Sequence, residues 1–150
     1  MKPDVQKVMV NSFERLMTDV APHITSEYAV GSAAVIGLMA FQTAAEFERG
    51  AEIRVQENTA FRKIFSDAAS HLEESDLRKR LQVAAGSRDT SLLISALDKI
   101  NDELSALLIE LQTYVELHEA AWARDLEAQI WNELARAAEA RRLPHPMVAE

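Results

Sequence analysis

The sequence contains no cysteine, only four glycines and four prolines in 150 residues, and few aromatics, at 6%. A soluble domain of this length ordinarily carries about 10 glycines and about 7 prolines. Without cysteine the chain cannot be a disulfide-stapled module. Eight glycines and prolines cannot supply a turn about every 8 to 12 residues, so a sandwich or barrel is excluded. Also missing are a glycine-rich phosphate loop, a cysteine nucleophile, a serine on a glycine-flanked turn and a His pair at i, i+4 around a Glu. These gaps point away from an enzyme. A net charge of −8 leaves little for a phosphate backbone or an anionic membrane to bind. The longest apolar run, Ala29 to Phe41, is interrupted only by Gly and Ser and spans 13 residues. That is short of the roughly 18 to 20 that cross a bilayer, and acids precede it where a signal peptide would be basic. A cytoplasmic protein is the resulting expectation.

What is present is helical periodicity in a chain that is 48% hydrophobic. Its length suits one all-helical domain over 1–150, with a loose tail over about 144–150. The prolines punctuate the two ends, at Pro3, Pro22, Pro144 and Pro146. A first helix is expected from Asp4, whose carboxylate can cap it, to Val20. Its apolar residues recur every three or four positions from Val5 through Phe13 to Val20. Pro22 should end it.

A long arm follows from Thr25 or Ser26 to about Leu72, if Gly50 and Glu57–Asn58–Thr59 do not break it. Small residues Ala33, Gly37, Ala40 and Ala44 share one side and invite a close helix neighbour. Val30, Leu38 and Phe41 lie opposite, so this part should be buried on more than one side. Phe47, Ile53, Phe61, Ile64, Phe65, Ala68 and Leu72 continue the apolar face. A short helix from Ser75 to Ala85 should end at a left-handed Gly86. Its basic run Arg78–Lys79–Arg80 reads as a solvated face.

A second long arm over about 90–143 contains no glycine or proline, with Asp89 or Thr90 as its cap. Leu93, Leu97, Ile100, Leu104, Leu107, Leu111 and Tyr114 form a heptad stripe. Beyond Tyr114 the apolar stripe drifts to Val115, Trp122, Leu126, Ile130 and Leu134, as when a helix changes partner. At 1.5 Å per residue the arms would measure roughly 65 and 80 Å, too long for one short helix to cover. Either they break, at Gly50 and near His118, or a second chain covers them. The second outcome predicts a helical bundle of about four helices with two long antiparallel arms, about 26–72 and 90–143, assembled as a homodimer.

Two further features bear on function. Residues 97–133 hold nine acids against Lys99 and Arg124, a net −7 that could keep the chain soluble or meet a basic protein partner. The ferritin-like di-iron pattern fails because Val115 stands where its Glu should be. Antiparallel arms would nonetheless bring Glu46 and Glu57 of the first arm toward Glu116 and His118 of the second. Such a set suits one divalent metal ion, acid–base chemistry or a buried polar network that fixes register, and a histidine there offers a pH-dependent contact. The aromatic residues also allow an apolar ligand between helices. The sequence thus favours a non-enzymatic, self-associating helical module. The alternative is a metal- or small-ligand-binding bundle built on Glu46, Glu57, Glu116 and His118.

Overall fold

A computed structural model describes residues 4–146; Pro3 and residues 147–150 of the expected tail lie outside the described residues. The described chain is all-helical, 81% helix without strands. Five α-helices follow in order: α1 Val5–Arg15, α2 Glu27–Ala69, α3 Asp76–Ala85, α4 Ile94–Glu116 and α5 Ala121–Arg141.

The ends of these helices follow local chemistry in most places. Asp4 accepts the Lys7 amide at 3.1 Å, Ser26 the Ala29 amide at 3.4 Å and Ser75 the Arg78 amide at 3.2 Å. Each side chain satisfies an otherwise orphaned amide of a first turn. After α1 the chain stays helical through a wide turn at Leu16–Val20 and a tight one at Ala21–His23. Pro22 is therefore inside the last turn rather than beyond it, at a position where its missing N–H costs nothing.

Four expectations need correction. Gly86 ends α3 at φ −81°, an ordinary right-handed geometry. Neither Asp89 nor Thr90 caps α4, which starts at Ile94 because Asp89 is bound to Arg62 instead. Leu93 consequently precedes the helix and is exposed. Finally, the second arm is not one helix. It turns at Leu117 to Ala120 and returns as α5, whereas α2 itself runs 43 residues without a break at Gly50 or at Glu57–Asn58–Thr59. Of the two pieces, α4 runs parallel to α2, with Arg54 meeting Asp98 and Asn58 meeting Asn101. Only α5 runs antiparallel to it, with Asp67 meeting Gln129 and Glu57 meeting Arg141.

The chain divides into two compact units, one of residues 1–50 with 142–150 and one of residues 51–141. The second unit contains a core in which Phe61, Ile64, Phe65, Leu81, Leu104, Leu111, Val115, Leu126 and Ile130 are all buried. That cluster explains the turn after α4. Folding α5 back lets Ala123, Leu126 and Ile130 join Leu111 and Val115 in one cluster. Each fully buried Leu or Ile contributes about 1.5–3 kcal/mol, far more than the few tenths that separate ordinary helix formers at Leu117 to Ala120.

The first unit is built differently. Gly37 of α2 lies against α1: a methyl group there would sit 3.1 Å from the Phe13 ring and 3.5 Å from Leu16 and Met17. The Phe13 and Phe41 rings stand 5.3 Å apart. Gly37 is thus the close-approach position its sequence context predicts. Gly31 is not, since nothing lies within 4 Å of its missing side chain.

Candidate functional site

The four residues expected to form a site divide between the two units. Glu46 is half-buried in the first unit, while Glu57, Glu116 and His118 belong to the second. Glu57 is buried and paired with Arg141, Oε2 to Nη2 2.7 Å. Glu116 accepts from Gln112 at 3.0 Å, and His118 Nδ1 lies 2.7 Å from the Tyr114 carbonyl. Arg49, three residues beyond Glu46, donates through Nη2 to the Arg142 carbonyl. Among the described residues no three His, Asp or Glu side chains gather closely enough to hold a metal ion. The His118 ring instead packs with Tyr114 at 4.3 Å and Trp122 at 5.7 Å, and His71 stacks flat on Trp122.

In place of the expected site, the second unit holds a continuous polar seam. From Glu57 it passes to Arg141 of α5, whose Nη2 reaches Asn101 Oδ1 at 3.3 Å. Asn101 donates to Asn58 at 3.0 Å, and Asn58 donates to Asp89 at 3.2 Å and to the Leu97 carbonyl. Asp89 accepts both terminal nitrogens of Arg62, at 2.7 and 3.2 Å, and Arg62 Nε donates to Ser87. One chain of hydrogen bonds therefore ties α2, the α3–α4 connection, α4 and α5. The two hydrogen bonds from Arg62 hold the Asp89 carboxyl below its ordinary range. Arg54 adds a contact to Asp98 at 2.5 Å.

Seams of this kind cost desolvation, and their benefit is register. A shift of either helix by one turn would strand a buried charge or amide. The signal was present in the sequence. Asn58 precedes Phe61 and Phe65 at heptad spacing, and Asn101 lies between Leu97 and Leu104. A single Asn on an apolar stripe fixes register. Glu57 and Asn58, in the stretch that resembles a helix break, belong to this lock, while Thr59 is exposed and donates to the Val55 carbonyl.

The acidic stretch is partly neutralised by bases from outside it. Arg54 meets Asp98, Arg80 chelates Glu110 with two 2.7 Å contacts, and Arg136 meets Glu133. The Arg80 pair holds the Glu110 carboxyl below its usual range.

The first unit carries the other unusual surface. Along α2, positions 28, 31, 32, 35, 36, 39, 43 and 47 are all exposed, among them Tyr28, Val35, Ile36, Met39 and Phe47. Spacings of three and four place them on one face. No charged residue occurs from Tyr28 to Ala45. Burial on two sides was expected here, yet only the α1 side is covered. The helix contains an 18-residue window of mean hydropathy 1.4, long and apolar enough by composition to cross a membrane. An uninterrupted apolar run is thus too strict a measure, because Gln42 and Thr43 end the run without adding charge.

Compared with known proteins, the chain matches no family model, no curated protein and no solved structure.

Proposed function

We propose that this protein is a non-enzymatic helical module that self-associates as a homodimer through the charge-free face of α2. The observation that carries this reading is that face itself. It is a solvent-facing helical stripe about five turns long, without one charged side chain in its 28–45 stretch. Monomeric soluble proteins rarely expose so continuous an apolar patch. Tyr28, Val35, Ile36, Met39 and Phe47 present on the order of 600 Å² of apolar surface, close to the ~800 Å² each partner brings to a standard interface.

Charge selects the occupant. Two copies of a chain of net charge −8 repel each other at most contacts, and the 28–45 stretch of this face brings no acid to the contact. Pairing the α1–α2 hairpin with a second copy yields four helices around a shared apolar core. In an isologous, antiparallel pairing near Gly37, Tyr28 of each copy lies beside Phe47 of the other.

A bilayer suits the face less well. Gly37 is near the midpoint of the charge-free stretch, and Phe13, Leu16 and Met17 of the first unit touch its position. Exposed Glu14 and Arg15 lie between those contacts in sequence. They would enter the bilayer centre with α1, at about 2.5–3.5 kcal/mol for a charged side chain.

Sedimentation equilibrium of the full chain tests the reading. The native protein is expected at twice 16.7 kDa at micromolar concentration. The Val35→Glu/Met39→Glu variant is expected as a monomer with unchanged helix content. A native monomer at 100 µM, a dimer that survives both substitutions, or flotation of the native chain with uncharged phosphatidylcholine vesicles would each overturn it.

A further inference from the structure

The second unit contains a cavity of about 620 Å³ on the side of α3 and α4. That volume falls within the roughly 300–1,000 Å³ of small-molecule sites. Its body is apolar: Val83 and Ala84 of α3 face Ile100, Leu104 and Leu107 of α4. Its remaining wall is cationic. Lys79, Arg80, Arg88 and Arg62 line it against a single acid, Glu103. This concentration of positive charge runs against the chain's net −8.

The cations differ in availability. Arg62 is bound to Asp89 and Ser87, Arg80 is held by Glu110, and Lys79 lies 3.7 Å from Glu74. Arg88 is exposed and, among the described residues, makes no hydrogen bond or ion pair. It stands at the edge of an apolar space beside Val83, which is itself 76% exposed. The aliphatic stems of Lys79 and Arg80 extend the apolar wall while their charged ends stay in water. The basic run at Arg78 to Arg80, which reads in the sequence as a solvated face, thus sends two of its three residues to a cavity rim.

We propose that this cavity binds an amphiphilic monoanion of the fatty-carboxylate class. The hydrocarbon chain lies along Val83, Ile100, Leu104 and Leu107, and the carboxylate meets Arg88. An apolar space closed at one edge by an unpaired guanidinium recognises both ends of such a molecule. A neutral lipid would leave Arg88 unmatched, and a small anion would leave the apolar walls wet.

Isothermal titration of the full chain with dodecanoate, below its micellar concentration, tests the assignment. One saturable site per chain in the micromolar range is expected, with no binding of acetate. Arg88→Glu should weaken dodecanoate at least tenfold, and Val83→Glu should abolish saturable binding. Both positions are exposed, so circular dichroism should show the native helix content in each variant. The Val35→Glu/Met39→Glu variant, altered only on the α2 face, should bind as the native chain does. Absence of a saturable site, equal affinity in the Arg88→Glu variant, or loss of binding only on changing the α2 face would overturn the proposal. The last result would assign the amphiphile to the α2 face as a hydrophobic adsorbate.

Discussion

In the second unit fifteen apolar residues, from Phe61 to Ile130, pack into one buried cluster. In the first unit the described buried positions are Ala33, Gly37, Ala44 and Gly50, and no residue of α1 is buried. Both units draw on the same helix, and the α2 segment of the first is the more uniformly uncharged of the two. The difference is geometric rather than compositional. Three further helical elements of the second unit accompany the end of α2, whereas α1 alone can cover only one side of its beginning. An apolar segment therefore does not make a core by itself. It needs neighbours on enough sides, and where its own chain supplies too few, another molecule can supply them.

The contrast can be broken most severely at the aromatic residues. Phe65→Ala should cost about 3–5 kcal/mol in urea unfolding, because Phe65 is fully buried and its removal leaves a cavity. Phe47→Ala, at a 60% exposed position, should change the stability of an isolated chain by no more than about 0.5 kcal/mol. It should nevertheless weaken self-association measured by sedimentation.

The polar seam sharpens the comparison next, since the second unit is held by register as well as by burial. Arg62→Met should cost about 2–3 kcal/mol by leaving the Asp89 carboxylate without its guanidinium and Ser87 without the Nε donor. Arg62 depresses the carboxyl of Asp89, so the pair's stabilisation is complete above the ordinary carboxylate pKa. It is lost as the pH falls through the lower folded-state value. Native unfolding free energy should therefore drop below about pH 4, and Asp89→Asn should flatten the curve in that window.

The smallest effects distinguish two glycines of one helix. Gly37→Leu should separate α1 from α2, since even a methyl there meets Phe13 at 3.1 Å. Helix content over the first unit should fall, as read by hydrogen exchange. Gly31→Ala has open space and should instead stabilise α2 by about 0.5–1 kcal/mol, the ordinary helix preference for alanine.

Much of the architecture was legible because local chemistry and periodicity agree. The caps at Asp4, Ser26 and Ser75 and the α4 stripe through Leu97, Leu104, Leu107 and Leu111 all appear where spacing and side-chain type place them. The antiparallel level expected for the two arms does not hold for α4: Arg54 meets Asp98 and Asn58 meets Asn101, so the partners advance together and α4 runs parallel to α2. Less of the candidate site could be read, because hydrogen-bond partners far apart in sequence are chosen by packing. Glu57 was identifiable as a notable carboxylate, but its partner is Arg141, 84 residues away. Asp89 has the chemistry of a helix cap, and the Arg62 guanidinium outcompetes the helix amides for it.

The sequence by itself determined that the chain is helical, where most of its helices begin, and which residues of α4 face inward. These properties depend on neighbours three or four positions away and on the lack of glycine and proline. Only the tertiary structure decided that the second arm folds back at Leu117 to Ala120, that Gly31 is open while Gly37 is closed, and that the first half of α2 keeps one apolar face in solvent. Helical preference is nearly level across Leu117 to Ala120, so the burial of Leu126 and Ile130 against Leu111 and Val115 settles the turn. Exposure along α2 is set by how many helices surround it, a quantity no local pattern contains.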